Sequence, residues 1–165
     1  SVLGDYRNPH SGKAHRIRIN GNLNSYAFLV TLLHELSHLI TFIRFGHRVD
    51  AHGKEWKQQF SELLKHFIGA SFFPKDIKIQ LEQSLTNPAA SSCADVNLMR
   101  VLRKYDPVKE GHCLVEELSI GAKFAIKGNR IFECGERVRK RIKATEVSTG
   151  KIYLFSPVYE VKLIS

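Results

Sequence analysis

Two histidines and a glutamate near the start of the chain have the spacing of a metal-dependent hydrolase. His34, Glu35 and His38 form an HExxH motif. Residues four positions apart lie on one face of an α-helix, so both imidazoles can bind the same metal ion. Glu35 follows the first ligand by one position, where its carboxylate can take a proton from a water molecule. Because neutral imidazole suits Zn²⁺ and a catalytic site keeps one position open, the motif predicts a catalytic zinc site.

A catalytic zinc site needs a third protein ligand, which must come from elsewhere in the chain. The metzincin pattern requires Gly at position 41 and His at position 44, where this chain has Thr41 and Arg44, so that class is excluded. His52 is the favoured ligand, because it stands at the start of the next predicted helix and Gly53 after it permits a close approach of the backbone. The alternatives are Glu55 or Glu62, as in a thermolysin-like site, and His47, which follows the first helix by only two residues.

Two helices are predicted to position these ligands. The apolar segment around the motif is too long for a strand and predicts a helix over 26–45, with Asn24 or Ser25 as N-cap and Gly46 as its end. A second helix over 54–68 carries one continuous apolar stripe. The first of these segments contains three ionisable residues of the motif, which favours a buried helix over a membrane span.

The residues of both motifs resemble the SprT-like zinc metalloprotease family, of the bacterial SprT and Spartan type. The resemblance covers about residues 3–68 and rests on the segments 3–7, 19–24, 34–38 and 52–56. It implies that His34, His38 and His52 bind zinc and that Glu35 is the catalytic base. It also implies a compact α+β core, in which the motif helix packs on a small sheet, and protein substrates associated with DNA or the transcription machinery.

The chain departs from this family at its C-terminal end. Many SprT-like proteins end in a zinc ribbon with paired cysteines, whereas Cys93, Cys113 and Cys134 stand far apart. Short β-prone runs separated by glycines predict a small sheet or barrel instead. We therefore expect an α+β fold with a metalloprotease domain over 1–105 and a β-rich module over 106–165.

The segment 74–85 predicts a helix, although the alternation of Ile77, Ile79 and Leu81 would also fit a strand. A loop over 87–92 leads to a helix that ends near residue 105, with Ser92 as its predicted N-cap. The predicted strands are 15–20, 114–120, 123–127, 130–134, 137–145, 152–155 and 158–163.

The charge of the chain suits a polyanionic partner. Twenty-five Lys and Arg against sixteen Asp and Glu give a net charge of +9. If the basic run 137–144 is one strand, its alternate cations share a face that can follow a phosphate backbone, with Tyr153 and Phe155 as stacking surfaces. The alternative is a solvated edge strand, with the aromatic rings in the core. The four cations concerned are Arg137, Arg139, Arg141 and Lys143.

These observations predict a zinc-dependent metalloendopeptidase that cleaves proteins associated with DNA or the transcription machinery. The alternative is a non-proteolytic adaptor for DNA or the transcription complex, with a structural zinc ion. The low cysteine content favours the cytoplasm, and Ser1 in place of Met indicates that the natural N-terminus lies upstream. The residue that stabilises the oxyanion is open, and the candidates are Tyr6, Tyr26 and His47.

Overall fold

The computed structural model describes residues 3–85 and 95–164. The chain divides into two compact units, Ser1–Asp106 and Pro107–Ser165. Within the described ranges, the first unit contains four helices and a two-stranded sheet, and the second contains a six-stranded sheet. This arrangement confirms the predicted α+β fold class.

From the second strand onward, the elements of the first unit follow the predicted order. Strands β1 (Gly4–Arg7) and β2 (Arg16–Ile19) pair in antiparallel fashion, with Tyr6 opposite Ile17. The first helix then carries the HExxH motif, and a short loop leads to the second. The bounds are β1 Gly4–Arg7, β2 Arg16–Ile19, α1 Ser25–Phe45, α2 Lys54–Gly69, α3 Lys75–Ser84 and α4 Val96–Arg103.

Helix α1 has the predicted bounds to within one residue. The side-chain oxygen of Asn24 accepts hydrogen bonds from the backbone N–H groups of Tyr26 and Ala27 at 3.1 and 2.9 Å, and Gly46 ends the helix with φ +63°. By length and composition alone α1 is apolar enough to cross a membrane, but a buried core helix passes the same test. Its Val30 and Leu33 belong to the buried cluster of the first unit.

Helices α3 and α4 complete this cluster. The helix predicted over 74–85 is confirmed, because Ile77 and Leu81, four residues apart, are fully buried while Ile79 between them is exposed. Helix α4 begins later than predicted. Its N-cap is Asp95, which accepts a hydrogen bond from the Leu98 N–H at 3.0 Å. The predicted cap at Ser92 and the loop over 87–92 lie outside the described residues.

The second unit is a six-stranded antiparallel sheet. Its strands lie in the order β3-β8-β4-β5-β6-β7, and stacked and edge-on contacts join Phe124, Phe132 and Phe155 in its core. The bounds are β3 His112–Leu114, β4 Lys123–Ile126, β5 Arg130–Val138, β6 Arg141–Glu146, β7 Ile152–Phe155 and β8 Glu160–Ile164.

Two strand predictions in this unit were wrong. The segment predicted as a strand over 114–120 continues from β3 into a 3₁₀ turn, Val115–Glu117, because Val115 is fully buried and its N–H donates to the Tyr159 carbonyl at 3.0 Å. The run predicted as one strand over 137–145 is a hairpin. Strand β5 continues through a bulge between Cys134 and Arg137, and the chain then reverses at residues 139–140.

Candidate metal centre

Three imidazoles converge at the first unit's cleft. Helix α1 supplies His34 and His38 from successive turns, and His52 comes from the loop that leads into α2. The Nε2 atom of His34 lies 3.2 Å from Nε2 of His38 and 3.4 Å from Nε2 of His52. Among the described residues these three form the group with metal-ligand spacing. The structure thus brings together the three histidines that the sequence analysis favoured.

The two separations that involve His34 fit a tetrahedral metal ion. With metal–nitrogen bonds of about 2.05 Å, two ligands of a tetrahedral site lie about 3.3 Å apart. Both measured separations are within 0.1 Å of that value. A neutral imidazole carries one proton on its two nitrogens, so nitrogens that face a common point cannot all be satisfied by donating to one another. A shared divalent cation satisfies all of them.

The protonation state of the cluster also favours metal binding. Burial, together with the charges that His38 and His52 would carry, lowers the pKa of His34 to about 3. Burial likewise lowers the pKa of His38 to about 4 and lowers that of His52. All three rings are therefore neutral near pH 7, which is the form that binds a metal ion.

Helix α2 holds the cluster in place from one side. The Trp56 ring lies 4.7 Å from the His34 ring, 5.3 Å from His38 and 4.8 Å from His52, between centroids. Trp56 is fully buried and stacks on Phe60. The Nδ1 atom of His34 has no hydrogen-bond partner among the described residues. Packing against Trp56 and Phe60 therefore fixes the orientation of this ring.

Glu35 is buried beside the cluster and has no cationic partner in the described part of the chain. Only 5% of its surface is exposed. Burial, and to a smaller extent the negative charge of Asp5, raise the pKa of Glu35 to about 7, against the opposing effect of a hydrogen bond from the Tyr6 backbone N–H. A carboxyl group with a pKa near 7 suits a general base.

Gly4 allows β1 to lie directly against α1 at this point. A Cβ atom at position 4 would lie 2.7 Å from Cγ2 of Thr31 and 3.0 Å from Oε1 of Glu35. A side chain would therefore push the strand away from the helix. The close approach places the Tyr6 N–H within reach of the Glu35 carboxylate.

The remaining candidate ligands do not join the histidine group. His47 lines the same cleft, but its ring packs edge-on against Phe42 and its Nε2 lies 3.4 Å from Asn8 Nδ2. Glu62 accepts a hydrogen bond from Gln58 within α2. Glu55 Oε2 lies 3.4 Å from the position of a Cβ on Gly53, and neither acid joins the histidine group.

The basic run in the second unit does not form the predicted row of cations. Arg137 lies opposite Ile142 across the β5–β6 hairpin, and Arg141 lies opposite Val138, so the two cations occupy different faces of the sheet. Arg139 is at the turn, with φ +54°. Arg137 pairs with Glu116 at 3.5 Å, and Lys143 pairs with Glu136 at 3.7 Å.

The helix-borne histidines, the third histidine from the following loop and the adjacent glutamate form a group that could hold a metal ion, in the order along the chain that a zincin-like fold has. The model of the SprT-like family matches residues 2–90, more than half of the chain, and this protein belongs to the SprT-like family. No curated protein and no solved structure matches the chain.

Three features of the site were not found by sequence reasoning. These are the close approach at Gly4, the contact of Trp56 with all three imidazoles, and a contact between Tyr6 and His15. The segments that carry the family resemblance include Gly4, Tyr6 and Trp56. The resemblance therefore indicated that these residues matter, but it did not indicate what each one contacts. Nothing in the local sequence singles out His15.

Proposed function

We propose that this protein is a zinc-dependent endopeptidase that acts on protein substrates. The proposal rests on one observation: three neutral imidazoles, with ligand nitrogens within 4.8 Å of one another, lie beside a buried glutamate that has no cationic partner among the described residues, in an open cleft of about 550 Å³. In the described part of the chain the group has three members. A fourth coordination position is then left for a ligand other than protein, as catalytic zinc sites require.

The residues of the cleft have distinct parts in peptide hydrolysis. Zn²⁺ held by His34, His38 and His52 would polarise the scissile carbonyl and lower the pKa of a water molecule. Glu35 accepts the proton of the attacking water and returns it to the leaving amine. The Tyr6 N–H holds the Glu35 carboxylate in place during both transfers. Trp56 keeps the imidazoles oriented.

The decisive experiment compares the zinc-loaded full chain with its Glu35→Gln variant on an unfolded protein substrate. We expect the native chain to cleave internal peptide bonds, and the variant to be slower by about 10²- to 10⁴-fold, the usual contribution of a general base. Trp56 is the only tryptophan in the chain, so quenching of its fluorescence by Co²⁺ reports binding at this cluster specifically. The variant should retain that quenching. Equal cleavage by both proteins, or none by the native chain, would contradict the proposal.

The second candidate function is a non-proteolytic adaptor with a structural zinc ion. A structural site is closed by four protein ligands, and the described residues contribute three histidines to this group. Glu35 also has no use in such a site. A native chain that binds zinc tightly, gains stability from it and cleaves no substrate would favour the adaptor.

We also propose that the tip of the β5–β6 hairpin binds nucleic acid, which would bring the peptidase to substrates on DNA or in transcription complexes in the cytoplasm. Arg139 and Arg141 are exposed and have no acidic partner among the described residues. Charge reversal at both, Arg139→Glu and Arg141→Glu, should weaken DNA binding and lower its salt slope by about 2. The double variant Lys13→Glu and Lys65→Glu changes the net charge equally and is the matched control. Equal weakening by both variants would exclude a specific role for the hairpin.

A further inference from the structure

The cleft contains few side chains that can donate a hydrogen bond to a substrate. During attack on a peptide bond, the carbonyl oxygen gains negative charge and needs such donors. The hydroxyl groups of Thr31 and Thr41 line the cleft, but they donate to the carbonyls of Ala27 and Ser37, at 2.7 Å in both cases. Apart from the three histidines of the metal site, the neutral donors that remain among the described lining residues are Tyr6, Asn8 and His47.

Of these three, Tyr6 lies against a proposed metal ligand. Its ring is parallel to that of His38, with an interplanar angle of 5° and centroids 6.2 Å apart. Asn8 and His47 contact each other, and His47 packs on Phe42. Tyr6 is therefore the donor whose ring is held in a defined orientation relative to the proposed metal ligands.

A histidine from outside the cleft lining fixes the Tyr6 hydroxyl. The Tyr6 oxygen lies 2.8 Å from Nδ1 of His15, and the His15 ring packs edge-on against Phe42 at 5.6 Å. In the tautomer that carries a proton on Nδ1, His15 donates to the phenol oxygen. The phenol proton is then free to be donated to a substrate.

We infer that Tyr6 is a catalytic residue that donates a hydrogen bond to the carbonyl oxygen of the scissile peptide, and that His15 is its positioning residue. This inference rests on the proposed peptidase function. As the water oxygen bonds to the carbonyl carbon, its proton passes to Glu35 and the carbonyl π electrons move to oxygen. Tyr6 stabilises that oxygen and keeps its own proton. The C–N bond then breaks, and Glu35 gives its proton to the amine nitrogen.

The test uses the zinc-loaded full chain with the Tyr6→Phe substitution. Loss of one oxyanion donor should lower kcat by about 10²- to 10³-fold, with KM nearly unchanged. A phosphinic peptide, which mimics the tetrahedral oxyanion, should bind more weakly by a similar factor in calorimetry. The Co²⁺ affinity read from Trp56 fluorescence should not change, because Tyr6 is not a metal ligand. Tyr26→Phe is the matched control, since Tyr26 packs against Phe73 and Tyr105 outside the cleft lining.

Variants at position 15 separate positioning from simple packing. His15→Ala should lower kcat about tenfold, and His15→Asn, whose amide can donate near the position of Nδ1, should recover most of that loss. Unchanged kcat and inhibitor affinity in Tyr6→Phe would overturn the inference, as would a parallel loss of Co²⁺ affinity. A native chain without any peptidase activity would instead refute the proposed function on which the inference depends.

Discussion

Glu35 in the first unit and Glu146 in the second are each 5% exposed, but their surroundings differ. Glu146 accepts hydrogen bonds from Arg130 Nε at 2.6 Å and from the Thr149 hydroxyl at 2.5 Å. The hydrogen bond from Arg130 is the main reason that the pKa of Glu146 is lowered. Glu35 has a backbone N–H as partner and the negative charge of Asp5 nearby, and its pKa is raised to about 7.

The ion pair with Arg130 keeps the Glu146 carboxylate charged, whereas the raised pKa of Glu35 allows that carboxylate to accept a proton near pH 7. A buried charge is costly unless it is paired and hydrogen-bonded. The second unit meets that condition at Glu146, where Arg130 also lies over the rings of Phe132 and Tyr153, at 5.1 and 4.9 Å. Among the described residues Glu35 has no cationic partner, and it lies next to three imidazoles that are neutral near pH 7. Under the proposed function its carboxylate is available to accept a proton.

Removal of the metal should affect the two units most unequally. At zinc concentrations a thousandfold above Kd, binding stabilises the folded state by about 4 kcal/mol, and chelation removes this contribution. Unfolding followed by Trp56 fluorescence should shift to lower denaturant on addition of chelator. Hydrogen exchange of the β4 and β5 amides reports the second unit and should not change. Equal destabilisation of both units would contradict the expectation that the metal stabilises the first unit alone.

Acid should destabilise the chelated first unit. His34 takes up a proton near pH 6.5 when unfolded but only near pH 3 when folded, so the free energy of unfolding falls as the pH drops below 6.5. Between pH 7.5 and 5, each histidine whose pKa is lowered in this way reduces the free energy of unfolding by about 2 kcal/mol. Glu35 has the opposite effect on the free energy of unfolding. Its folded pKa is about 7 and its ordinary value is 4.5, so it stabilises the folded state as the pH falls. The shifts of His34 and His38, less that of Glu35, leave a net loss of about 2 kcal/mol in the native chain, and the lowered pKa of His52 acts in the same direction.

The Glu35→Gln variant sharpens this test. Without the opposing carboxyl, the chelated variant should lose about 4 kcal/mol over the same pH range. Glu146 does not contribute there, since its pKa is lowered from 4.5 and its stabilisation is lost only at lower pH. Denaturation midpoints at pH 7.5, 6 and 5 measure the difference. Identical pH dependence in the native chain and the variant would show that Glu35 is ionised at pH 5.

Gly4→Ala should disturb Glu35 without touching a metal ligand. The added methyl would lie within 3.1 Å of Thr31, Glu35 and the Arg18 carbonyl, and such overpacking costs about 1–3 kcal/mol. We expect reduced stability of the first unit and reduced peptidase activity. Gly21→Ala is the control, because nothing lies within 4 Å of its added Cβ. Equal effects of the two substitutions would show that the approach of β1 to α1 is not tight.

Glu146→Gln should give the smallest effect, and it should destabilise the second unit rather than the first. The neutral amide leaves the Arg130 guanidinium without its charged partner, so the second unit should unfold at lower denaturant. Peptidase activity and Co²⁺ affinity should stay unchanged. A loss of activity in a variant that remains folded would show that Glu146 has more than a structural role.

Local patterns were sufficient to predict the ligand-bearing elements. The bounds of α1 follow from Asn24, Gly46 and the apolar run between them, and the helical repeat alone places His34 and His38 on one face. The basic run over 137–145 shows the limit of such reasoning. Its turn at Arg139 lacks the glycine or asparagine that usually marks a left-handed conformation, so no local turn signal indicates the reversal that the β5–β6 pairing requires.

The sequence alone determined the α+β class, the helix that carries the HExxH motif, and His52 as the favoured third ligand, because these depend on spacing within a few turns of chain. Tertiary structure decided which candidates reach the site. Folding brings His52 to 3.4 Å from His34 and leaves His47 against Phe42. It also sets β1 against Glu35 and joins Tyr6 to His15. Such contacts link side chains from separate elements, so their geometry is fixed only when the core packs.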